Sequence, residues 1–89
     1  MIKIVQAHLV EPYKIHLTFS NQQSGIYDVW PLIAKDTVMV QPLKNPEYFQ
    51  QFFLELGALC WDNGFELSPS NIYYKLKHAN ALTSIPAMA

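Results

Sequence analysis

The chain has 89 residues, 51% of them apolar, with a net charge of −1 and a single cysteine, Cys60. That size makes one domain whose core needs no disulfide staples, and a lone cysteine cannot bridge within the chain. All six basic residues are dispersed lysines and arginine is absent, so direct DNA or RNA binding is not expected without bidentate guanidinium contacts or a concentrated positive field.

The N-terminal residues Met1 to Gln6 lack the basic-then-apolar order of a signal peptide. No apolar run approaches the roughly 20 residues that cross a bilayer, and the expected location is the cytoplasm. Ile2 to Val10 is β-rich with apolar pairs at Ile4-Val5 and Leu9-Val10, which either a bulge or a partly covered second face of the strand would explain. Glu11-Pro12 is a tight connection to Tyr13–Ser20, whose strict apolar–polar alternation is that of a half-buried strand. Asn21 to Gly25 reads as a polar turn, followed by a third strand over Ile26–Trp30 that Pro31 ends. Pro31 to Ala34 can make one helical turn.

Thr37–Val40 is a short β-prone stretch. Asn45-Pro46-Glu47 opens a helix, because Asn45 can cap a free N–H, Pro46 sits where none is needed and Glu47 suits the positive helix end. Aromatic spacing carries that helix through Tyr48, Phe49, Phe52 and Phe53. Strands are also expected around Gly57, over Phe53–Leu56 and Ala58–Trp61, so Phe53 has two competing assignments. Asn63-Gly64 is a hairpin-turn pair. Ser68-Pro69 opens a second helix with an apolar face of Ile72, Tyr73, Leu76 and Ala79.

These elements predict an α+β fold, a small antiparallel meander sheet packed on one face by two short helices. Residues 1–80 form the domain, and 81–89 is a C-terminal tail expected to be partly disordered.

Four stretches together resemble a known pattern: Phe19-Ser20-Asn21, then Tyr27-Asp28-Val29-Trp30-Pro31-Leu32, then Pro42 to Phe49, then Trp61-Asp62-Asn63-Gly64-Phe65-Glu66-Leu67-Ser68-Pro69 through Tyr73. The sequence resembles the bacterial DUF2442 family, of unknown function, over residues 1 to 77. Glu66 stands where the family pattern has aspartate, and Ile72 where it has leucine. The resemblance implies a small protein-binding module, the antitoxin-like member of a toxin–antitoxin pair with a DUF4160-type partner from a neighbouring gene, or a regulatory module. Other members join this domain to a helix-turn-helix domain, for which the present chain is expected to lack room.

Trp61, Asn63, Gly64, Glu66, Ser68, Pro69 and Tyr73 are the motif and candidate interaction residues. Trp61, Asn63 and Glu66 read either as a recognition loop on a rigid scaffold or as core, turn and strand end. Asp28, Asn45 and Pro46 are structural, with Asp28 expected to cap the turn that follows it. Asp62 and Glu66 straddle a turn, with no His, Lys or Ser placed to complete acid–base chemistry, so no enzyme is expected. Cys60 reads as a buried small hydrophobe rather than a nucleophile. His8 and His16 would share a sheet face if the Glu11-Pro12 connection has an odd loop length, and no Cys or acid stands at ligand spacing from them. Gly25, Gly57 and Gly64 are isolated and make no phosphate loop. No metal or cofactor is therefore expected. The small number of charges beside so many aromatics predicts an exposed apolar patch or a self-association edge, and with it a homodimer. The alternative function is small-ligand binding, in a pocket near the Trp61–Tyr73 segment and Tyr27.

Overall fold

The computed structural model describes residues 1–84. Strand β1 (Ile4–Glu11) turns through Pro12 and Tyr13 into β2 (Lys14–Phe19), and β3 (Gln23–Asp28) follows. All three pair antiparallel in sequence order. The pairing of β1 slips between Ile4 and Gln6 and again between Leu9 and Glu11, so of the two explanations for the doubled apolar pairs the bulge is the one present. In β2 the alternation puts Ile15, Leu17 and Phe19 inside, none more than 1% exposed. Their neighbours make the inner rows Leu9–Ile15–Tyr27 and Ala7–Leu17–Gly25.

Strand β3 starts earlier than the sequence suggests. Gln22 takes the left-handed conformation (φ 68°) and its N–H bonds the Phe19 carbonyl, closing the turn before Gln23. The polar residues Gln23 and Ser24 then pair with Ser84 and Thr83 of a short last strand, β7 (Thr83–Ser84). The first part of the expected tail is therefore a sheet edge, and residues 85–89 lie outside the described residues. Gly25 permits this crossing, since a Cβ there would stand 2.7 Å from the Ala81 carbonyl oxygen.

Helix α1 (Trp30–Ile33) replaces the expected end of β3. Thr37–Val40 is not a strand. Its hydrogen bonds close locally, from the N–H groups of Val40 and Gln41 to the Thr37 carbonyl, and a 3-10 turn over Gln41–Lys44 follows. Helix α2 (Pro46–Phe49) begins as expected, with Asn45 Oδ1 accepting the Glu47 N–H at 2.9 Å. It stops before Phe52 and Phe53.

The next three strands, β4 (Phe53–Glu55), β5 (Ala58–Cys60) and β6 (Glu66–Leu67), form a second antiparallel sheet. Leu59 lies between Leu54 and Leu67 in it and is fully buried. Helix α3 (Pro69–His78) buries Ile72 and Leu76, half-buries Tyr73 and leaves Ala79 in solvent, one residue fewer on its apolar face than the spacing predicts. Its end is a complete Schellman motif: Asn80 has φ 54°, its N–H bonds the Lys77 carbonyl, and the Ala81 N–H bonds the Leu76 carbonyl. The α+β class holds, with the strands shared between two sheets over one core that joins Ile15, Leu17, Phe19, Phe49, Leu59 and Trp61. No helix among the described residues is long and apolar enough to cross a membrane.

Candidate functional site

The Trp61–Pro69 segment is built from backbone demands. Trp61 is 1% exposed and its indole Nε1 donates to the Phe49 carbonyl at 2.8 Å. Its ring lies 5.5 Å from Phe49, 6.3 Å from Phe52 and 5.7 Å from Phe65 between centroids. Asn63 Oδ1 accepts the Phe65 N–H at 3.1 Å, while its amide donates to the Met39 carbonyl at 2.9 Å. Gly64 has φ +93°, and its N–H returns to the Trp61 carbonyl. A side chain there would be strained in the left-handed region. Trp61, Asn63 and Gly64 therefore fasten the segment to the core and to the Met39 turn, and Trp61 offers no face to a partner.

Ser68 caps α3, its hydroxyl accepting from Asn71 at 3.5 Å, and Pro69 occupies the first turn. Tyr73 lies away from this turn. Its hydroxyl donates to Gln23 Oε1 and accepts from Asn21 Nδ2 at 3.1 Å, and its ring meets Phe19 edge-on at 5.3 Å. It ties α3 to the β2–β3 turn. Glu66 is exposed at the strand end. With Tyr27, Leu32, Ser68, Pro69 and Lys75 it lines a groove of about 520 Å³. Neither Trp61 nor Tyr73 lines that groove, so of the three aromatics expected around a pocket only Tyr27 reaches it.

Asp28 is exposed, and its Oδ1 accepts the Trp30 N–H at 3.0 Å at the start of α1. Burial, with the Glu66 and Glu55 carboxylates nearby, pushes the Cys60 thiol up. It is protonated at neutral pH and a poor nucleophile. Two contacts had no signal in the spacing. Tyr48 donates to Asp62 Oδ1 at 2.5 Å, and this hydrogen bond raises the phenol above its ordinary value. Tyr13, at φ 67°, donates to the Lys44 carbonyl. Among the described residues no three or more of His, Cys, Asp and Glu are gathered in one place.

Strand β1 has an open outer flank among the described residues. It is an edge strand of eight residues, and outboard of it only the Ile4 N–H finds a partner, the Gly57 carbonyl at 2.9 Å. Among the described residues, no backbone group from Val5 to Glu11 bonds outside the ladder with β2. Val5, Leu9 and Val10 are 53%, 38% and 41% exposed along it. Beside its far end lies an apolar recess of about 250 Å³ that includes Val10, Pro12, Pro46 and Phe49. At its near end the β4–β5 turn presents Leu56, which is 91% exposed and held at φ 51°. Asn or Gly usually occupies such a hairpin position, since left-handed backbone is unfavourable for a leucine. An apolar edge open on its outer flank invites another strand, and which strand supplies that edge could not be read from residue types because strand order is a property of the fold.

Comparison with curated proteins and with solved structures finds no significant match. The model of one family, protein of unknown function DUF2442, matches residues 4–78. The match takes in β1 through α3, with both caps and the Trp61–Pro69 turn. The chain belongs to the DUF2442 family.

Proposed function

We propose that this domain works by binding another protein in the cytoplasm, as the antitoxin-like member of a pair or as a regulatory module, and that the partner adds an extended segment along β1. The observation that carries this reading is the outer flank of the eight-residue β1, which among the described residues has no backbone partner from Val5 to Glu11 and carries the exposed apolar side chains Val5, Leu9 and Val10. Strand addition draws affinity from main-chain hydrogen bonds and specificity from alternate side chains. The same edge offers a second copy of the chain a route to a homodimer. Nothing in the arrangement of titratable groups favours catalysis over association, and with no arginine and dispersed lysines any contact with DNA would run through the partner.

Leu56 supports the same reading from energetics. A large apolar side chain kept in water at a strained turn position adds nothing to the core, whereas contact with a partner would account for it. Co-expression with the product of the neighbouring gene, followed by size-exclusion chromatography, tests the proposal. Val5→Lys and Val10→Lys should keep the fold and lose the complex. Leu56→Asn should raise stability by about 0.5–1 kcal/mol, since asparagine tolerates left-handed backbone, while weakening association. A complex that survives all three changes rules out the β1 edge as the contact.

A further inference from the structure

We propose that His8 and His16 form a two-imidazole site for a late first-row divalent cation, with Cu²⁺ and Ni²⁺ as the ions it takes best. The two residues are direct cross-strand partners in the β1–β2 ladder, in the row His8–His16–Ile26 on the sheet face opposite the buried rows. The connection between the strands holds only two residues, Pro12 and Tyr13, an even number. The register shift between Leu9 and Glu11 supplies the extra residue that brings both histidines to one face. Their ring centroids stand 4.9 Å apart with the planes tilted by 31°. That is close enough for one ion to bridge two ring nitrogens after modest side-chain rotation, since directly opposed cross-strand side chains lie within mutual reach.

A simply solvated histidine would keep both nitrogens in water. His16 does not. Its Nδ1 is buried and has no hydrogen-bond partner among the described residues, an arrangement that costs free energy unless a water or an ion satisfies it. His8 is exposed and leaves the pair open to solvent. Lys14, two residues before His16 on β2, already has a carboxylate partner, Glu11 at 3.6 Å. No third His, Cys, Asp or Glu joins the pair among the described residues, so the other coordination positions belong to water. Neutral imidazole with water and open positions suits Cu²⁺ and Ni²⁺, and Zn²⁺ less so, following the usual order of divalent affinities. The inference is independent of whether β1 takes a partner.

The test is calorimetric titration of the untagged chain with Cu²⁺ alone and with Ni²⁺ alone, circular dichroism reporting the fold of each variant. One ion per chain is expected. His8→Ala and His16→Ala should each weaken binding by about 100-fold or more, the advantage of a chelate over a single ligand, while His78→Ala should bind as the parent does. If His16→Ala fails to fold, His8→Ala decides alone, because that side chain is exposed. Absence of binding, or undiminished binding by folded His8→Ala, overturns the proposal and leaves a water as the partner of His16 Nδ1.

Discussion

Helices α2 and α3 start alike, each with a capping side chain followed by proline, yet α2 ends at Phe49 after four residues while α3 continues for ten to His78. Their starts are local. Asn45 Oδ1 and Ser68 Oγ each take an N–H of the first turn, and proline fills a position where no donor is needed. Their ends are not equally local. In a longer α2 the Phe49 carbonyl would accept from the Phe53 N–H. The indole of Trp61 takes that carbonyl instead, and Phe53 pairs with Cys60 in β4. Helix α3 stops through its own Asn80 and Ala81. A helix start is thus written beside the helix, whereas the end of α2 joins a local closure, the Gln51 N–H on the Tyr48 carbonyl, to a carbonyl held by a side chain twelve residues away.

The sharpest break of this comparison comes from Trp61. Trp61→Ala should cost about 3–5 kcal/mol, measured by urea unfolding, as for other buried aromatics truncated to alanine. Trp61→Phe keeps much of the ring but strands the Phe49 carbonyl, and an additional loss of about 1–2 kcal/mol is expected from that group alone. Amide exchange in Trp61→Phe should show the Gln50 to Phe53 backbone loosening while α3 stays protected. Equal protection of both helices in this variant would mean that α2 ends for reasons of its own.

The α3 side is probed at Gly25, whose added Cβ would meet the Ala81 carbonyl at 2.7 Å and Leu76 Cδ1 at 3.2 Å. Gly25→Ala should lose about 1–3 kcal/mol through overpacking and detach β7, seen as faster exchange at Ser24. Asn45→Ala and Ser68→Ala should each lose about 1 kcal/mol. Asn45 should be the larger, since its bond is 2.9 Å long against 3.5 Å for Ser68.

The smallest effect belongs to Tyr48, on the short helix, which donates to Asp62 and whose phenol is raised by that bond. An acid whose value is higher in the folded state contributes stability that is fully present below its unfolded value, about 10. That contribution is lost as pH rises through the folded value. Tyr48→Phe should therefore flatten the fall in melting temperature above about pH 10 and change little at neutral pH. An unchanged alkaline limb would show that the Tyr48–Asp62 bond has no weight in solution.

The same division between local and distant causes decides how much the residue order reveals. The alternation in β2, the bulge in β1, both helix starts and the Asn63-Gly64 turn need only near neighbours, and all are legible. The extension of β3 to Gln23 was not, because polar Gln23 and Ser24 become a strand only when Thr83 and Ser84 arrive beside them. Thr37–Val40 looked extended on side-chain type, but its backbone closes on itself and only Val40 is buried. At the candidate site the motif residues were visible, while their duties were not. Trp61, read as core or recognition, is core, with a carbonyl partner that no spacing announces. The open flank of β1 depends on strand order, and the meeting of His8 with His16 depends on a register shift.

The two tryptophans inhabit opposite environments: Trp61 is sealed inside the aromatic cluster, whereas Trp30 is 44% exposed and leans on Tyr13 with ring centroids 5.0 Å apart. A water-soluble quencher added to the native protein should therefore dim only the Trp30 portion of the fluorescence, leaving a blue-shifted remainder from Trp61. That remainder is an optical gauge of the interior that requires no label, and its red shift on unfolding marks the moment the second sheet lets go of α2.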